Sequence, residues 1–195
     1  MRHDPSAPFG RDALAAPPRL GARQRAIALL VGAMAVKLAY FAALGRPIGC
    51  DCGLIWAMPD DPALNSQVML DPYTLMHLVS GMLVIALVRR IRPDWGPWTL
   101  MGAAIVSSTI WELVENLPPV VAAFNYDPFD PLTYSGDSIL NAMADGLAVA
   151  AGALLALRMR GLPILMAALA VEIALSLWIA DGFAIGILRA LGFWS

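Results

Sequence analysis

Charge is what this chain has least of. Only 14% of its 195 residues are Asp, Glu, Lys or Arg, 59% are hydrophobic, and the mean hydropathy is +0.67. A soluble domain is about a quarter charged, so this composition excludes an ordinary water-soluble globule. With a net charge of −2, nothing suggests nucleic acid as a partner, and none is expected. Cysteine is scarce too: Cys50 and Cys52 are the two present, in one connecting segment. There is no internal repeat of fixed period. Gly-x-Ser-x-Gly, His-Glu-x-x-His and a phosphate-binding loop are all missing, which removes several familiar enzyme classes.

What is present is a series of long apolar runs. A span needs about 20 residues, and the runs predict an all-α integral membrane bundle of about five transmembrane helices, near 26–44, 74–88, 97–117, 138–157 and 162–180. Residues 1–24, rich in Pro, Ala and Arg, are expected to be a disordered basic tail, and 25–195 a single transmembrane domain. The first run is read as a retained anchor rather than a cleaved signal, because Lys37 interrupts it and Gly45-Arg46-Pro47 is a poor cleavage motif. Pro118-Pro119 ends the third run. Turns are expected at Tyr126-Asp127-Pro128 and Asp130-Pro131. Residues 183–194 are too short to span and are expected at the interface, with Arg189 facing water and Trp194 as an anchor.

Arginine placement orients the runs. Arg11, Arg19, Arg23 and Arg25 make the tail basic, and Arg89, Arg90, Arg92, Arg158 and Arg160 mark two further segments. Segments 45–73 and 118–136 are mostly acidic. The positive-inside rule then predicts a cytoplasmic N-terminus, an outer C-terminus and a bacterial inner-membrane, multi-pass location.

Within this apolar frame the acids stand out. Glu112 and Glu115 lie three apart, one helical turn, at the end of an uncharged run. An intramembrane carboxylate costs about 2.5–3.5 kcal/mol on insertion scales and normally faces a partner or a water-filled cavity. Asp137, Asn141 and Asp145 recur every four residues on one helix face. With His77, the predicted topology brings all six to the outer third of the bilayer. Protonation, access to outer water or a divalent cation would relieve the charge. Carboxylates with one imidazole and an amide suit Zn²⁺, Mg²⁺ or Mn²⁺. Each residue also has a plain structural reading: Glu112 and Glu115 as interfacial groups, Asp137 as the N-cap of span four, and His77 as a satisfied bundle histidine.

Lys37 and Glu172 fall near mid-bilayer on spans one and five, and the default expectation is an ion pair between them; the alternative turns Lys37 toward the acids. Cys50-x-Cys52 admits a small-ring disulfide or, as a minority reading, soft-metal chemistry with Met58, Met69 and Met76.

Gly45-Arg46, Cys50-x-Cys52-Gly53, Asn65-Ser66-Gln67, Asp71-x-Tyr73, His77-x-x-x-Gly81, Trp111-Glu112-x-x-Glu115-Asn116 and Tyr134-x-Gly136-Asp137-Ser138-x-x-Asn141-x-x-x-Asp145 together resemble a family of small bacterial multi-pass membrane proteins of unknown function. The resemblance covers about 45–160. More loosely, the order of these polar positions is similar to VanZ-like membrane families. It implies an inner-membrane location and supports treating the polar positions as a set. It supplies no substrate.

The resulting expectation is an outward-facing His/Glu/Asp site that holds a divalent cation or a polar lipid headgroup. The second reading is a metal-dependent hydrolase of a lipid or cell-envelope precursor, with Glu112 and Glu115 as candidate catalytic groups. A proton- or ion-coupled transporter is disfavoured, because only Lys37 and Glu172 approach the inner half.

Overall fold

In the computed structural model the described residues are 20–124, 133–190 and 193, and among them there is no sheet, only an isolated bridge between Trp56 and Leu70. Arg11, Arg19, the turns at Tyr126-Asp127-Pro128 and Asp130-Pro131, and Trp194 lie outside the described residues. Among the described residues seven helices follow in order: α1 (Ala22–Ala43), α2 (Tyr73–Ile91), α3 (Pro97–Glu115), α4 (Pro118–Phe124), α5 (Ile139–Ala156), α6 (Gly161–Trp178) and α7 (Phe183–Ala190). Four of them, α1, α2, α5 and α6, are long and apolar enough to cross a membrane. Helix α3 is as long as α2, 19 residues, but more polar in composition, because Ser107, Ser108, Thr109, Glu112 and Glu115 fall in its second half. The expected third span is thus a full-length bundle helix diluted by the polar residues of the site. Large apolar side chains face outward, with Leu177 83% and Leu162 69% exposed. In water this surface would be a severe liability. The protein is an all-α helical membrane bundle.

Helix α1 starts at Ala22, so the expected tail up to residue 24 is partly helical. Arg23 lies over the Trp98 ring of α3 at 5.7 Å, a cation–π contact that gives the first turn a partner. Helix α3 starts with Pro at its first position after Gly96, where the missing N–H costs nothing. Pro118 and Pro119 start α4 as well as ending α3.

Helix α5 is the centre: 61% of its span is buried inside the protein, against 22% for α2, 17% for α1 and 11% for α6. It packs most extensively on α2, and the close approach has a sequence cause. A Cβ at Gly81 would strike the backbone of Val149, and one at Gly152 would strike that of Leu78. Small residues let helices meet backbone to backbone. Helix α1 packs on α3 and α5, and α6 on α2. At one end of the bundle Arg89 donates to the carbonyls of Met159 and Ala156, both at 3.1 Å, capping the C-terminus of α5. The arginine-bearing turns after α2 and α5 therefore share one end, and the segment 45–72 closes the other.

Candidate functional site

The closed end is built around the first turn of α5. Its free N–H groups need acceptors, and segment 45–72 provides them. Ser138 N donates to Ser66 O at 2.8 Å, and Ile139 N and Leu140 N donate to Pro47 O and Ile48 O, both at 2.9 Å. Asn141 N donates to Ser138 Oγ at 3.2 Å. The N-cap is thus Ser138, which corrects the reading of Asp137 in that role. Asp137 is free to face elsewhere.

Two polar groups form there, and five of the six expected site residues divide between them, with Glu115 on the cavity wall nearby. The first is a structural lattice. Asp137 takes the Asn116 amide on Oδ2 at 2.6 Å and the Tyr134 hydroxyl on Oδ1 at 2.9 Å, and its own N–H donates back to Asn116 Oδ1 at 2.8 Å. Asn141 donates to Val68 O at 3.1 Å and to Asp71 Oδ2 at 3.2 Å. Asp71 Oδ1 accepts from Thr74 N at 3.2 Å, and Thr74 Oγ1 accepts from Asp71 N at 3.3 Å, so this carboxylate caps α2. Arg46 donates to the carbonyls of Ser135 and Asn116, and Gln67 to that of Gly136 at 2.6 Å. Burial pushes the Asp71 carboxyl up to about 6, with the nearby Asp137 charge adding to it. Burial also raises Asp137, against the lowering pull of Asn116 and Tyr134.

The second group is a chain across four helices, α1, α3, α2 and α5. Lys37 is 1% exposed, donates to Ala142 O at 3.0 Å and lies 3.6 Å from Glu112 Oε1. His77 Nδ1 lies 3.4 Å from the same oxygen, and His77 Nε2 lies 3.7 Å from Asp145 Oδ2. One ligand atom each from His77, Glu112 and Asp145 fall within 4.8 Å of one another. Gly146 leaves the space that Lys37 occupies, since a Cβ there would meet Nζ at 2.6 Å. Lys37 therefore pairs with Glu112 and not with Glu172. Glu172 instead accepts from Phe183 N at 3.0 Å and Ala184 N at 2.8 Å, capping the first turn of α7.

The second group is polar without being satisfied. Among the described residues no hydrogen bond reaches either oxygen of Glu112, Oδ1 of Asp145, Oε2 of Glu115 or Oγ of Ser108, all buried. Such orphaned atoms normally have a partner: protein, water or ion. A neutral imidazole with its proton on Nδ1, toward Glu112, has its Nε2 lone pair facing the Asp145 carboxylate. Two acceptors then face each other, an arrangement that calls for a proton or a cation between them.

A cavity of about 600 Å³ lies beside this chain. His77, Glu115 and Asp145 line it, while Glu112 and Lys37 stand behind its wall. The structure thus brings together His77, Glu112 and Asp145, sets Glu115 on the cavity wall one turn away, and assigns Asp137 and Asn141 to the lattice. Arg189 turns inward toward Asp181, at 3.9 Å with its side chain 12% exposed, where the sequence suggested a water-facing position. Cys50 and Cys52 are joined to each other as a disulfide, which removes them as thiolate ligands.

Asp71 and Asn116 belong to the lattice and are not in the expected set. Asp71-Pro72-Tyr73-Thr74 carries a signal, an acid three residues before a hydroxyl at a helix start. Asn116 closes the Trp111-Glu112-x-x-Glu115-Asn116 motif, but its role depends on a loop that returns 21 residues later.

A family model described as "protein of unknown function (DUF2585)" matches residues 41–192. A UPF0314 protein of Sphingopyxis alaskensis is 33% identical over 83% of this chain and 85% of its own length. UPF0314 proteins of Rhizobium meliloti, 32% identical over 85% and 86%, and Paracoccus denitrificans, 35% identical over 76% and 77%, are similar to it as well. No solved structure matches. The match runs past the motif-bearing residues 45–160 into α7, and the chain belongs to this family, described as proteins of unknown function.

Proposed function

We propose that the protein is a multi-pass inner-membrane protein that holds a divalent cation at His77 and Asp145, with Glu112 orienting the imidazole from behind. One observation carries this reading: His77 Nε2 and Asp145 Oδ2 face each other at 3.7 Å beside an Asp145 oxygen that has no donor. Glu112 on Nδ1 is the outer carboxylate that metal-bound histidines commonly use to fix their tautomer, and Lys37 neutralises it. Two protein ligands on a cavity wall leave further positions open to water or a bound molecule. The shared end of the two arginine-bearing turns supports a cytoplasmic placement for that end and an outward-facing site.

The test is a titration of metal-stripped protein in detergent with Mn²⁺, followed by electron paramagnetic resonance. The expected result is one bound ion per chain in the wild type and at least a tenfold weaker affinity in His77→Ala. Equal binding by both would overturn the assignment. A second reading, a metal-dependent hydrolase, is favoured by Glu115. Its buried Oε2 lacks a donor and it lines the cavity, so it is the group that would take a proton from metal-bound water. That reading predicts that Glu115→Gln keeps the cation and loses any cell-envelope phenotype of the wild-type gene.

A further inference from the structure

The cavity is far larger than a cation needs. A water occupies about 30 Å³ of liquid volume, so some 600 Å³ is the size of a ligand pocket. Its walls change character with depth. His77, Glu115 and Asp145 line one part, Val84, Ala104 and Val149 line another, and Ser107 and Ser108 lie between them. Val84 lies seven residues beyond His77 on α2 and Ala104 eight before Glu112 on α3, about 10–12 Å along the bundle at 1.5 Å per residue. The cavity therefore has a polar head and an apolar floor within a membrane bundle.

Apart from Glu115 and Asp145, the acids around the head have partners, so a cation held there sets the class of headgroup. Asp137 is satisfied by Asn116 and Tyr134, Asp71 by Asn141 and Thr74, Asp181 receives the Tyr73 hydroxyl at 2.9 Å and faces Arg189, and Glu112 has Lys37. The open positions of a His77–Asp145 cation are what an incoming molecule would meet, with the unpartnered Ser108 hydroxyl and the Ser107 hydroxyl as donors nearby. A divalent cation with open positions takes phosphate oxygens readily.

We infer that the cavity binds a phosphate-bearing amphiphile, its phosphate on the His77–Asp145 cation and its alkyl chain along the floor formed by Val84, Ala104 and Val149. This inference rests on the cation site proposed above.

The test uses the full chain in phosphatidylcholine nanodiscs, loaded with Mn²⁺, and reads the thermal unfolding midpoint. Dodecyl phosphate is expected to raise it by roughly 5 °C near saturation. Dodecanol and inorganic phosphate are each expected to give much less. Val84→Phe, which fills the floor, is expected to abolish the dodecyl phosphate shift while keeping the bound Mn²⁺; Ser107→Phe, on a more exposed part of the wall, is the second blocking variant should Val84→Phe fail to fold. A shift that persists in the folded blocking variants would overturn the inference. So would a shift of equal size in metal-free protein, or one produced by dodecyltrimethylammonium in place of dodecyl phosphate. Bound Mn²⁺ with no dodecyl phosphate effect overturns this inference alone, whereas no bound Mn²⁺ overturns the cation site itself.

Discussion

Asn116 carries more of the closed end than its neighbours in sequence suggest. Its amide holds both the carboxylate and the N–H of Asp137, at a fully buried position. Asn116→Ala is expected to cost about 1–3 kcal/mol, the penalty for a buried group losing its partner, read as a lower unfolding midpoint in detergent. Asp71 gives a pH signature. Its folded-state pKa is raised from 3.8 to about 6, so its contribution to stability is fully present below pH 3.8 and is lost as pH rises through about 6. Midpoints measured between pH 4 and 7 should therefore fall across that window, and Asp71→Asn should flatten the slope. The polar positions could be read from the sequence because charge is so rare in an apolar chain. Their division into a lattice and an unsatisfied chain could not. Helical spacing puts Asp137, Asn141 and Asp145 on one face, but partners supplied by Asn116, Tyr134 and Asp71 decide which of the three is already satisfied.

Glycine decides the element scale. Gly81 and Gly152 let α2 and α5 touch backbone to backbone, and that contact sets His77 against Asp145. Gly152→Ala should separate the two helices at a cost of about 1–3 kcal/mol, as overpacked sites do; Gly161→Ala, with open space around it, is the control that should leave the midpoint unchanged. Helix α7 depends on a carboxylate from another helix. Glu172→Ala leaves the Phe183 and Ala184 N–H groups without an acceptor, at a cost of about 1 kcal/mol, and faster hydrogen exchange confined to 183–190 would report it. Apolar runs made the helices legible, since run length and proline position need no tertiary information. The Lys37–Glu172 expectation failed because equal membrane depth does not make two helices neighbours: α1 packs on α3 and α5, and α6 packs on α2.

At the scale of the whole molecule, the bundle has an arginine end tied by Arg89 and a closed end where segment 45–72 caps α5. Between them, α2, α3 and α5 present an imidazole and two carboxylates beside a cavity with an apolar floor. The central claim is that the unsatisfied chain, and not the lattice, holds a divalent cation. Elemental mass spectrometry on detergent-purified protein tests it most directly, with wild type beside His77→Ala, Asp145→Asn and Asp137→Asn. The account predicts close to one divalent metal per chain in the wild type and in Asp137→Asn, and its loss in His77→Ala and Asp145→Asn. Folded wild type without metal, or metal retained in His77→Ala and Asp145→Asn, would contradict it.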